Sequence, residues 1–148
     1  MEYYRDHFRI TTDKGQMDVE AIHRLLLNTY WAKKLPKNIL EACMRSSLCY
    51  GVLEGEKQIG FARVISDYAI FAYLCDVVIE ESYRGQGLGK WLVTCILEHP
   101  QLQGLKRCML STRDAHALYQ KFGFKPLANP EKFMEIYRPE VFDREPEQ

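Results

Sequence analysis

The sequence predicts an α+β domain with a mixed, mostly antiparallel central sheet flanked by helices. Three features carry that expectation. Two apolar-periodic stretches come early, over 18–26 and 37–45. Strand-like runs joined by a short turn follow, over 48–53 and 58–66. A glycine-rich segment then divides a later strand-like run from a helix-like one. The implied order, βααβββαβαβ, mixes the two element types in one sheet rather than alternating them strictly.

Each element has a local cause. Phe8-Arg9-Ile10-Thr11 has the composition of a first strand, and 12–16 reads as a turn. Asp18 is a helix-capping residue ahead of Val19, Ile22, Leu25 and Leu26, which recur at helical spacing. A second helix over 37–45 turns Ile39, Leu40, Cys43 and Met44 inward. Strands over 48–53 and 58–66 form a hairpin through Glu54-Gly55-Glu56-Lys57. Ser66-Asp67-Tyr68 turns the chain into a strand ending at Ile79, and Trp91, Leu92, Cys95 and Ile96 mark a helix stopped by Pro100. A strand over 105–111, a short helix from Ala115, and a last strand over 133–137 complete the pattern. The final residues, from about 143 to 148, read as a frayed tail of a single domain.

The segment Arg84-Gly85-Gln86-Gly87-Leu88-Gly89-Lys90 is the most informative part of the chain. Glycines at alternate positions let the backbone turn tightly and bring successive N–H groups to one concave side. The following helix adds its unpaired first-turn N–H groups and the positive end of its dipole. Such a junction seats a phosphate or pyrophosphate. It is not a nucleotide-hydrolase loop, whose first Gly and post-Lys Ser or Thr are replaced by Arg84 and Trp91. Nor is it a dinucleotide fingerprint, because the third glycine would fall at Lys90.

The spacing Arg-Gly-x-Gly-x-Gly resembles the acetyl-CoA signature of the GNAT superfamily of N-acyltransferases. Residues 115–127, Ala-His-Ala-Leu-Tyr-Gln-Lys-Phe-Gly-Phe-Lys-Pro-Leu, resemble the superfamily's A-x-x-L-Y-x-K-x-G-F element in the expected order. Read physically, this block is a short helix with Thr112 or Asp114 as capping candidates and Gly123 as a left-handed stop. The resemblance spans nearly the whole chain. It implies a sheet in which the strand bearing Val77–Ile79 splays from the next one, so that acetyl-CoA enters the gap. Val77, Val78 and Ile79 would then bond the pantetheine arm through their backbone, by the logic of strand addition. The amides of Gly85, Gln86, Gly87, Leu88, Gly89 and Lys90 would hold the pyrophosphate. The Lys90 side chain reads equally as solvated helix surface.

The implied reaction is attack of an amine on the thioester carbonyl. A backbone N–H at Val78 would stabilise the oxyanion. Tyr119 occupies the family's general-acid position and would protonate the leaving thiolate. Many relatives carry Asn seven residues before that tyrosine, where it touches pantetheine; this chain has Thr112 there, which can bond or cap instead. Several relatives place Glu at the position of Cys75, beside an Asp matching Asp76. Only Asp76 remains to receive the amine's proton, or else it is a structural carboxylate. Asp67 in the neighbouring turn is the second acidic candidate. Tyr30 and Trp31 lie in the segment that covers the acceptor in relatives, where aromatics stack on a substrate or simply roof the core.

Composition restricts the partners. The chain has 148 residues, 47% hydrophobic and 27% charged, with 20 basic and 20 acidic side chains. That balance lends no support to nucleic acid binding. The longest apolar stretch is broken by Arg63, Asp67 and Asp76, so no membrane span is expected, and Met1–Asp6 lacks the apolar core of a signal peptide. Five cysteines without C-x-x-C spacing read as reduced, mostly buried residues of a cytoplasmic protein. The four histidines stand apart from them, so no metal site is expected. The expectation is an acetyl-CoA-dependent N-acetyltransferase for a small-molecule amine, with a homodimer compatible with it. A peptide or protein acetyltransferase is the alternative, as is a non-catalytic acyl-CoA sensor on the same fold.

Overall fold

The computed structural model describes residues 1–143. The tail expected from about 143 therefore lies, beyond Asp143, outside the described residues. Chain contacts group into two compact units, one over 1–111 and one from Thr112 onward.

The first unit holds a six-stranded sheet in the order β1-β2-β3-β4-β5-β6. Its strands are β1 (Glu2–Arg5), β2 (Phe8–Thr11), β3 (Leu48–Glu54), β4 (Lys57–Ser66), β5 (Phe71–Ile79) and β6 (Arg107–Leu110). The first five form an antiparallel meander, while β6 joins β5 in parallel. Helices α1 (Val19–Leu27) and α2 (Lys37–Arg45) precede β3, and α3 (Leu88–Leu97) follows β5. The Asp18 carboxylate caps α1 by accepting from the Ala21 N–H at 3.1 Å, as the sequence predicts. The α2 bounds and the β3–β4 hairpin also fall where the pattern puts them.

Both sheet faces are covered, which explains why β3 and β4 are buried over most of their length. On one face Cys49, Phe61 and Val78 pack with Ile22 and Leu26 of α1 and Leu40 and Met44 of α2. On the other lie Ile10, Tyr50 and Ile79, with Leu92, Val93 and Ile96 of α3 buried as well. His99, just beyond α3, is buried, meets Tyr50 edge-on at 6.2 Å and caps the next turn through Nδ1.

Five sequence expectations change. The chain opens with β1, an extra strand paired with β2 through Asp6-His7. No glycine announces this turn, because Asp6 itself takes the left-handed conformation, φ +54°. The strand expected over 105–111 is shorter, and the one expected over 133–137 is absent: Met134 and Ile136 are 98% and 84% exposed. Phe124 likewise opens no strand. These runs have suitable side chains, but no buried face fixes a register for them. Finally, only Cys49 and Cys95 of the five free cysteines are fully buried. Burial nevertheless pushes the Cys49 and Cys75 thiols up, to about 11 and about 12.

The second unit contains α4 (His116–Gln120), ended by a Schellman motif. Gly123 takes φ +95°, its N–H donates to Gln120 O, and the Phe124 N–H returns to Tyr119 O at 3.2 Å. The Phe124 ring then meets Tyr119 edge-on at 5.8 Å. This contact is the apolar clasp that accompanies such a stop. Helix and cap thus fix the Tyr119 ring together.

Burial lowers the pKa of His99 below its ordinary 6.5. Its contribution to stability is therefore complete above about pH 6.5 and fades as the pH falls, when the unfolded chain takes up the proton first. His99→Asn keeps a capping acceptor without that proton. Thermal melts at pH 7.5 and 5.5 should show a larger acid-induced drop in Tm for the wild type than for the variant.

Candidate active site

The candidate site of the first unit lies around the second half of β5. Pairing with β6 runs only from Phe71↔Arg107 to Leu74↔Leu110. Beyond Leu74 the β6-side edge of β5 has no sheet partner among the described residues, so the two strands part as the resemblance implies. A bulge starts at the same place. Phe61 faces Val78 and Arg63 faces Cys75, so one extra residue is accommodated in β5. Asp76 sits in this bulge at φ +57°.

Strand alternation decides which backbone groups face the open edge. The Glu80 N–H donates to Ile59 O at 2.7 Å, across the β4 side. With Phe61 in register with Val78 and Gly60 with Ile79, Val78 then points its backbone polar groups toward β4. Those of Val77 and Ile79 point the other way. By this register the Val78 N–H faces β4 rather than the open edge, toward which the Val77 N–H turns. The Ile79 carbonyl is already engaged by Arg84 Nε at 3.0 Å.

That Arg84 bond ties the end of β5 to the glycine loop. Gly85 and Gly87 take φ +85° and +82°, and α3 begins at Leu88 with Gly87 as its cap. Helical bonding starts with the Trp91 N–H donating to Gly87 O at 3.0 Å, and no side chain caps the helix. The N–H groups of Leu88, Gly89 and Lys90 consequently have no partner within the helix. A Cβ on Gly87 would approach the Arg5 guanidinium at 3.4 Å in a conformation L-residues avoid, whereas one on Gly89 would make an ordinary contact. Lys90 is exposed.

The acidic and aromatic candidates gather on a different part of the same unit. Asp76 accepts from Trp31 Nε1 at 2.9 Å through one oxygen and from Arg63 Nε at 2.5 Å through the other. The Arg63–Asp76 side chains are only 15% and 10% exposed, so neither charge relies on water alone. Arg63 Nη1 also donates to Ser47 Oγ at 3.2 Å, and the nearby carboxylate raises the Arg63 pKa against its burial. Trp31 is 46% exposed and meets the Tyr30 ring edge-on at 5.0 Å. Tyr30, Trp31 and Asp76 thus come together, joined by Arg63 and Ser47, which the sequence did not single out. Only an alternation argument, putting Arg63 opposite Cys75, would have found the first of them.

The remaining candidates are structural in their contacts. Asp67 Oδ1 accepts from the N–H groups of Ala69, Ile70 and Phe71, and these bonds lower its pKa. It thereby builds the β4–β5 turn. Thr112 Oγ1 accepts from the Ala115 N–H at 3.0 Å and so caps the approach to α4. His116 is exposed. Among the described residues, no group of three or more His, Cys, Asp or Glu could hold a metal ion, and no helix is long and apolar enough to cross a membrane.

A split β5 edge running into a glycine-capped helix is the scaffold of an acetyltransferase. The family model "Acetyltransferase (GNAT) family" matches residues 18–124. The chain belongs to the GNAT family of acetyltransferases, which use acetyl-CoA as acyl donor. It is 32% identical over 140 residues to FG08082 of Gibberella zeae, named as an acetyltransferase, covering 79% of this chain and 78% of that one. It is similar to a crystal structure of a GNAT-family protein from Xanthomonas campestris, with a TM-score of 0.90 and 42% identity, over 95% of this chain and 100% of that one. A GNAT acetyltransferase from Elizabethkingia anophelis with acetyl-CoA bound shares the fold, with a TM-score of 0.65 and 17% identity over 90% of each chain.

Valine at position 87 would combine a β-branched side chain with a left-handed backbone. Gly87→Val should weaken acetyl-CoA binding by roughly 2–4 kcal/mol, because several charge-assisted bonds shift together. Calorimetry on the folded variant checks this; unchanged affinity would reduce the loop to a turn.

Proposed function

We propose that this acetyltransferase moves the acetyl group of acetyl-CoA to the primary amine of a small molecule in the cytoplasm. One observation carries the donor side: the unpaired β5 edge leads directly into first-turn amides that no side chain caps. The backbone of Val77 and Ile79 would bond the pantetheine arm, and amides from Gly85 to Lys90 the pyrophosphate. Val78 would contribute through its packed side chain, and Thr112 through the turn it caps. We read both compact units as one catalytic domain, since the family match at 18–124 runs across their boundary.

The amine nitrogen attacks the thioester carbonyl, whose developing oxyanion is met by the Val77 N–H. Collapse of the tetrahedral intermediate breaks the C–S bond. The thiolate takes its proton from the Tyr119 hydroxyl, and the nitrogen loses one toward Asp76, directly or through water. Each Asp76 oxygen already accepts one bond, yet an ionised carboxylate has about four acceptor sites, so two remain. Trp31 and Tyr30 form an aromatic wall beside that carboxylate, and Asp67 enters only by shaping the neighbouring turn. Because Arg63 offsets the Asp76 charge, the wall suits a compact amine with an aromatic or aliphatic body better than an extended basic peptide.

Two variants test the chemistry. Tyr119→Phe keeps the clasp with Phe124 and removes only the proton donor. Turnover should fall by about 10²–10⁴-fold with acetyl-CoA affinity little changed, read by steady-state kinetics and calorimetry. Equal turnover removes Tyr119 from the reaction.

On the acceptor side, Asp76→Asn and Trp31→Ala should each impair transfer while leaving acetyl-CoA binding nearly intact. Asp76→Asn should also change the acidic limb of the rate profile, which reports a base that must be deprotonated. Kinetics across pH, with mass detection of products from a mixed panel of amines and peptides, decides the matter. Preferred acetylation of lysine peptides would favour a protein acceptor, and no product from any amine would favour an acyl-CoA sensor.

A further inference from the structure

The glycine loop is anchored from a strand on the far side of the sheet. After β5 the chain passes the β3–β4 hairpin, where Tyr83 donates to Glu54 Oε1 at 3.0 Å and its ring meets Phe8 of β2 at 6.2 Å. It then reaches Arg5 at the end of β1. Arg5 Nη2 donates to Gln86 O and Nη1 to Gly87 O, each at 3.3 Å, and the guanidinium lies 6.0 Å from the Trp91 ring centre. Among the described residues, no other side chain is bonded to both of these carbonyls.

Peptide planarity turns these bonds into a statement about the opposite side of the loop. In a trans peptide the C=O and the following N–H point in opposite directions. Holding Gln86 O therefore directs the Gly87 N–H away from Arg5, and holding Gly87 O does the same for the Leu88 N–H. Gly87 O also receives the Trp91 N–H at 3.0 Å, so its plane is fixed twice. On the Gln86–Gly87 plane, Arg5 holds the carbonyl among the described residues, next to two glycines at positive φ that would otherwise let it rotate. Donation to a carbonyl also polarises the amide on the far side of the same peptide, making it a stronger donor to an anion.

We propose that Arg5 is a positioning residue for the acyl donor: its two-pronged hold on Gln86 O and Gly87 O preorganises the Gly87 and Leu88 amides to receive the coenzyme A pyrophosphate. The inference rests on the acetyl-CoA seat proposed above. Arg5 does not touch the reacting atoms, so it acts on donor binding and leaves the chemical step alone. A planar fork suits this hold better than an ammonium group, whose three donors sit on a flexible stem and are not fixed in one plane.

The test compares wild type, Arg5→Gln, Arg5→Met and Arg5→Lys, with Gly87→Val as the control for the seat itself. Acetyl-CoA affinity is measured by calorimetry, kcat and KM by steady-state kinetics, and folding by thermal melts. Arg5→Gln and Arg5→Met should raise the acetyl-CoA Kd and KM about tenfold, with kcat at saturating donor within about twofold and Tm nearly unchanged. Arg5→Lys should recover only a minor part, and the loss should persist between 0.05 and 0.5 M salt, on the order of where simple charge attraction is screened. Full recovery by Lys, or a loss that vanishes at high salt, overturns the proposal in favour of a diffuse charge effect. An equal fall in kcat with a lowered Tm makes Arg5 a structural residue, and unchanged KM makes it a bystander. If the wild type binds no acetyl-CoA, or Gly87→Val binds it normally, the seat itself is wrong and Arg5 falls with it.

Discussion

The bulge at Asp76, closed by its ion pair with Arg63, is the constraint on which the candidate site depends. An aspartate can adopt φ +57° at modest cost, but a carboxylate that is only 10% exposed needs partners. Arg63 supplies one from the adjoining strand and Trp31 another from the segment after α1. Removing one member of such a pair typically costs ~3–5 kcal/mol, because the other charge is left stranded. The pair thus holds the extra residue in β5. Past that residue the β5 edge faces no β6 partner, and its backbone becomes available for something other than the sheet.

The same geometry ties three remote segments to one place. Trp31 is held by a bond to a residue 45 positions away, and Arg63 is shared between Asp76 and Ser47. An aromatic side chain that is 46% exposed would ordinarily sample several rotamers. Its indole N–H is held here by a carboxylate that is itself held by Arg63, so the ring would be preorganised for the acceptor role proposed for it. Preorganisation of this kind lowers the entropy lost on binding.

What was legible in the sequence is what local physics determines. Asp18 announces a cap, the Gly55-Glu56 turn a hairpin, and Gly123 the stop that clasps Tyr119 to Phe124. The conformation of the glycine loop was readable because glycine spacing records positive-φ backbone directly. Less legible were features made by pairing at a distance. Strand β1 was missed because Asp6 makes its turn without glycine, and with β1 went Arg5. Which β5 amides face the open edge was not legible either, since no pattern reveals a bulge that shifts the register. Conversely, residues 133–137 have strand-like composition, yet Met134 and Ile136 stand exposed and no ladder is present there.

These successes and failures divide along the two halves of the proposed reaction. The donor half is backbone: amides at a helix start, a free strand edge, and carbonyls tied back by Arg84 and Arg5. The acceptor half is side chain: Tyr30, Trp31, Ser47, Arg63 and Asp76 come from four separate segments, and none belongs to a short motif. A substitution of Tyr30 or Trp31, which lie outside the β5 bulge, would alter shape there without touching the strand edge proposed for the donor. Under the proposed reading, donor identity would follow from the scaffold, whereas acceptor identity would depend on how far Arg63 offsets the Asp76 charge and holds Trp31's partner in place.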